Sequence, residues 1–183
     1  MRNHLARSDR TDAWGERLRR LAGKIDTLAD TDQHRLNHAR EIAELRRRAA
    51  TQLHSICAGF VGSVNRLLSR CEVTLDPPHF LAGSFQEEGT NLFQINTRGR
   101  ILQIEFSATQ DLTSTEDFRI PYTIEGSVRA FNQDLLDRNR IEEQLIFFTV
   151  EKGRTMWRFF DARTYRSGPL DQEYLLILME QLI

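Results

Sequence analysis

Two cysteines, two lysines, four prolines and no apolar run longer than six residues occur in this 183-residue chain, and each scarcity excludes something. The longest apolar stretch, residues 174–179, falls far short of the ~20 residues that a bilayer-spanning helix requires, so no membrane span is expected. The opening MRNHLARSDR has arginines but no apolar stretch behind them and no small-residue cleavage site, unlike a secretory signal, which makes the cytoplasm the default compartment. Cys57 and Cys71 lie fourteen residues apart in what reads as one helix. Their Cα atoms would then be roughly 21 Å apart, against the ~7 Å limit of a disulfide, and free thiols fit a reducing compartment. With lysine confined to Lys24 and Lys152, 23 of the 25 basic residues are arginine, a skew that fits GC-rich coding in a bacterium.

What is present is ordinary for a folded protein: 40% hydrophobic and 28% charged residues, enough for one well-buried core with an appended element. The formal net charge of −1 hides an asymmetry. Residues 1–75 carry 14 basic and 9 acidic side chains and residues 76–183 carry 11 and 17, so a basic region precedes an acidic one.

Trp14, Leu18, Leu21, Ile25 and Leu28 are spaced 4, 3, 4, 3, which lines one stripe of a helix and matches a short coiled-coil seam, with Ser8 or Thr11 available as a cap. At Asp30, three residues before Gln33, a capping-box-like pair predicts a break, although one helix through residues 10–72 also fits. A second stripe, from Leu36 through Ala49, Leu53, Ile56, Phe60 and Val64 to Leu68, predicts a helix over residues 33–70, about 57 Å long. Such a length must project, fold back as a helical hairpin or pair with another chain.

Beyond Pro77-Pro78 the period becomes two. Phe93 and Ile95 alternate with polar neighbours, as do Leu102, Ile104 and Phe106 across Arg98-Gly99, which predicts a half-buried hairpin. Phe118, Ile120, Tyr122 and Ile124 predict a further strand, in which Pro121, lacking an amide donor, suits an edge or an outward-facing position. Residues 132–143 read as a short polar helix or long turn; residues 145–150 as a central strand, turning at Lys152-Gly153 into residues 155–160. Ser167-Gly168-Pro169, followed by Asp171 and Glu173, predicts the start of a final helix striped by Leu170, Tyr174, Leu178 and Leu182. The fold class is therefore α+β: long N-terminal helices, hairpin or coiled-coil-like, in residues 1–75, then an antiparallel-sheet domain closed by a C-terminal helix in residues 76–183. In element order alone it resembles the secretion-chaperone type of α+β domain, a likeness that no motif carries.

Three clusters have chemistry to offer. His34 and His38, one turn apart with Asp30 a turn earlier, have the spacing of a metal-binding helix face, but they lie in no HExxH frame and have no further ligand; a solvated polar face accounts for them. Arg40, Arg46, Arg47 and Arg48 make the long helix basic enough to meet phosphates or an acidic partner, yet Glu41 and Glu44 partly neutralise them and successive residues fan out by 100°. Arg163, Arg166 and Ser167 precede the final helix, whose free amides would favour an anion. No nucleophile elbow, P-loop, dinucleotide fingerprint or cysteine–histidine pair is present; Cys57 reads as a buried small hydrophobe, and Glu87-Glu88 and Glu142-Glu143 as solvated acids. No cofactor is implied. The favoured reading is a non-enzymatic protein-binding, adaptor or chaperone-like protein, oligomeric through its N-terminal helices, with a protein partner. A basic-helix nucleic-acid module and a small enzyme with scattered site residues are the alternatives.

Overall fold

The structure, a computed structural model, describes residues 5–132 and 142–183, with the backbone alone for residues 5–13 and 142. Of the two arrangements that the sequence allows, the continuous one is present: α1 (Leu5–Asn65) is a single unbroken helix and contains no hairpin. The polar residues at the expected break are used inside the helix instead of capping a new one. The Thr27 and Thr31 hydroxyls donate to the carbonyls four residues earlier, those of Gly23 and Thr27, and Gln33 donates to Asn37. At the other end α1 stops at Asn65, five residues before the expected limit. The Asn65 amide then exchanges two 2.8 Å hydrogen bonds with the backbone of Val73, tying the helix exit to the incoming strand.

Among the described residues seven antiparallel strands follow as a meander in which each strand lies beside its sequence neighbours: β1 (Thr74–Asp76), β2 (Thr90–Thr97), β3 (Arg100–Thr113), β4 (Tyr122–Phe131), β5 (Glu142–Glu151), β6 (Arg154–Asp161) and β7 (Arg166–Pro169). A 3-10 turn, Ala82–Ser84, lies between β1 and β2, and the helix α2 (Gln172–Glu180) closes the chain. Both expected hairpins form. Arg98 and Gly99 have φ of 51° and 83°, and Lys152 and Gly153 have 49° and 78°, the paired positive values that a two-residue primed turn demands. The edge strands β1 and β7 are the shortest, three and four residues, which limits exposed backbone.

Two expectations about strands are corrected. Residues 118–121 are a connection, not a strand, and Pro121 lies just outside β4, an interior strand; its carbonyl accepts from the Val150 amide. Residues 166–169 form β7 and not a helix start, because the cap is Asp171, whose side chain accepts from the Tyr174 amide. The polar helix or turn expected over residues 132–143 lies mostly outside the described residues, and Glu142 already opens β5.

The chain falls into two compact units, Met1–Ile42 and Ala43–Ile183. In the second unit the inner sheet face packs Phe93, Ile95, Leu102, Ile104, Phe106, Ile124, Ile146, Phe148 and Trp157 against Ala49, Ala50, Leu53, Cys57 and Phe60 of α1 and Leu175 and Leu178 of α2. Trp157 is fixed in this layer by its indole N–H, which donates to the Ala49 carbonyl at 2.8 Å. On the outer face a smaller cluster joins Phe118, from the residue 114–121 connection, to Tyr122, Phe147 and Phe160. Gly126 is required where β4 meets β3: a Cβ there would lie 2.1 Å from the Glu105 carbonyl oxygen.

Candidate functional site

Of the four helix arginines, Arg40, Arg47 and Arg48 are exposed but Arg46 is buried. Both inner strands next to it carry irregularities, β3 between Ala108 and Thr113 and β4 between Tyr122 and Ile124, where ladder pairing lapses. Arg46 supplies the missing donors. Its Nε donates to the Thr123 carbonyl at 3.1 Å and hydroxyl at 2.8 Å, one terminal nitrogen donates to the Thr109 carbonyl, and the other meets Glu87 at 3.2 Å. A planar fork with five N–H groups suits this task as lysine would not.

At the expected anion site one of the α2 amides, that of Tyr174, donates to the Asp171 side chain. Arg163 faces Asp161 at 3.7 Å, Arg166 and Ser167 lie exposed on the edge strand, and the Asp161 carboxyl is held below the usual range chiefly by the Thr164 hydroxyl, then by the Arg163 amide. His34 and His38 are exposed on α1, and among the described residues no three His, Cys, Asp or Glu side chains gather as metal ligands. The acidic pairs serve separate partners, Glu87 with Arg46 and Glu143 with Arg129. Burial pushes the Cys57 thiol up to about 12, which leaves it protonated and inert as a nucleophile.

Two surfaces stand out among the described residues. In the first unit Trp14, Leu18, Leu21, Ile25 and Leu28 are 46–63% exposed, an unusual state for a row of large apolar side chains. The second is a cavity of about 510 Å³ on the outer sheet face, which spacing along one strand could not reveal because neighbouring strands and a connection build it. Rows of paired residues cross the sheet there: Glu105–Ser127–Leu145–Phe160 and Ser107–Glu125–Phe147. Phe118 stacks on Phe147 at 4.4 Å and 19°, and Tyr122 lies 4.5 Å from Phe147. Glu105, Asp117, Glu125 and Glu143 surround this aromatic floor. The Ser127 hydroxyl is the main influence holding the Glu143 carboxyl below its ordinary value, against the effect of burial and with help from Arg129. Burial, with the charge of Glu125 and a hydrogen bond to it, raises Tyr122, so its hydroxyl stays neutral.

No described helix is long and apolar enough to cross a membrane. Compared with known proteins, the chain matches no family model, no curated protein and no solved structure.

Proposed function

We propose that the protein works through protein–protein contact, as a non-enzymatic adaptor or chaperone-like binding protein that associates with a second copy of itself through residues 14–28. The supporting observation is the exposed stripe at heptad spacing in the first unit. With Leu18 and Ile25 at a positions and Trp14, Leu21 and Leu28 at d positions, the flanking g positions hold Arg17 and Lys24 and the e positions hold Gly15, Ala22 and Ala29. A parallel pair sets each cation against an alanine, whereas an antiparallel pair sets Arg17 against Lys24, so the charges favour parallel pairing. Asp32 and Arg35 take the next a and d positions and end the seam.

Half-exposed side chains of this kind gain about 1 kcal/mol each on burial, or roughly 10 kcal/mol for the ten in a dimer. Association costs about 4–15 kcal/mol, so the dimer is weak and concentration-dependent. Sedimentation of the intact chain across a concentration series should show the mass rising from 21.3 kDa towards twice that value. The Leu21→Glu, Ile25→Glu variant should stay monomeric with an unchanged melting temperature, since both side chains are exposed. A concentration-independent 21.3 kDa for both proteins would reject the proposal. A nucleic-acid role gains little support, because the guanidinium of Arg46 is already committed inside the sheet unit.

A further inference from the structure

We infer that the outer-face cavity is a binding site for a small organic cation, an amidine, guanidine or alkylated amine attached to a flat apolar body. A volume of about 510 Å³ lies within the usual range for small-molecule sites. The aromatic floor is held together as a packed cluster of Phe118, Tyr122, Phe147 and Phe160, all buried, so the floor is formed before any ligand arrives.

Charge then selects the ligand. Among the described residues four carboxylates and no basic side chain line the cavity; Arg129, outside the lining, bridges Glu105 at 3.6 Å and Glu143 at 3.0 Å. Asp117 and Glu125 have no ion-pair partner among the described residues. An anion is repelled by this lining. A metal ion requires several carboxylates converging on one point, and these do not gather in that way among the described residues. Negative charge spread around an apolar floor suits a delocalised or bulky cation, whose apolar body covers the floor while its N–H groups donate to the carboxylates. The hydroxyls of Ser107 and Thr115 on the same wall offer further acceptors to an N–H donor.

The test uses three near-isosteres that differ in charge: benzamidine, benzamide and benzoate, titrated into the full chain and followed by calorimetry and by amide chemical shifts. Benzamidine should bind about tenfold or more tightly than either of the others, with shifts centred on residues 105–107, 117–118 and 125–127. In the Asp117→Asn, Glu125→Gln variant that preference should fall to about threefold or less while the melting temperature stays unchanged, since both side chains are exposed. A capped single arginine, tested in parallel, separates the two sources of such a cation: tighter binding than benzamidine would overturn the small-molecule assignment in favour of a protein side chain. Equal binding of benzamidine and benzamide, shifts elsewhere on the protein, or a variant that keeps the full preference would each overturn the site.

Discussion

Replacing Arg46 with methionine should cost far more stability than its place in a run of three arginines implies. Methionine keeps most of the unbranched stem and removes only the guanidinium. Lost with it are the donors to the Thr109 carbonyl, the Thr123 carbonyl and hydroxyl, and Glu87. The two carbonyls sit where β3 and β4 depart from regular pairing, so no strand neighbour stands ready to replace the lost bonds. Unsatisfied buried acceptors cost about 1–3 kcal/mol each, and breaking a buried ion pair about 3–5 kcal/mol in all. The side chain of Glu87 is 29% exposed and can turn to water, which moderates its share. The expected loss for Arg46→Met is therefore about 3–5 kcal/mol, a large fraction of a typical stability. Arg46→Lys should fall between, keeping the charge but not the fork. Arg47→Gln and Arg48→Gln, on exposed side chains, should stay within about 0.5 kcal/mol of the parent. Urea denaturation followed by circular dichroism, with slopes compared to confirm a common two-state transition, measures all four. A loss for Arg46→Met below about 1 kcal/mol, or equal to that of Arg47→Gln, would refute the account of the bulges.

Two further outcomes follow from the titrating groups. A thiol reagent at neutral pH should modify Cys71 at once and Cys57 only on unfolding, because Cys71 is exposed while burial drives Cys57 to about 12; two fast-reacting thiols in the native protein would contradict this. Glu143 titrates in the fold below its ordinary value of 4.5, so its stabilising contribution is complete above that value and is lost as the pH falls through the lower, folded one. Ser127→Ala, which removes the hydroxyl chiefly responsible, should thus lower the melting temperature at pH 7 and lose most of that deficit on acidification; a pH-independent deficit would assign the effect to packing.

The parts of this fold that local chemistry dictates were legible before the structure. Arg98-Gly99 and Lys152-Gly153 are two-residue turns needing positive φ, and the alternation of Phe93, Ile95, Leu102 and Ile104 sets the buried face whatever lies opposite. Competing local signals misled elsewhere. Pro169 resembles a first helical residue, but Asp171 is the cap, and the Gln33 side chain that suggested a new helix serves the existing one. Arg46 was readable in part: it lies three, four and seven residues before Ala49, Ala50 and Leu53, on the buried face, whereas Arg47 and Arg48 are rotated away from it. Its acceptors were not, since irregular pairing between strands leaves no local mark. The cavity was hidden for the same reason: Glu105, Asp117, Glu125 and Glu143 come together only through sheet register and a connection folded over it.

The bond from Trp157 to the Ala49 carbonyl joins residues 108 positions apart, and Arg46 reaches Thr123 across 77. During synthesis α1 therefore leaves the ribosome long before its partners in the sheet exist. At about 5–20 residues per second, the face carrying Ala49, Leu53, Cys57 and Phe60 waits roughly 5–20 s for Trp157 to be added. Strands β2 to β6, by contrast, can pair with the preceding strand as soon as they emerge. The nascent chain thus presents its helix as an unfinished apolar surface until the sheet is nearly complete, an interval in which a holding chaperone would have most to bind.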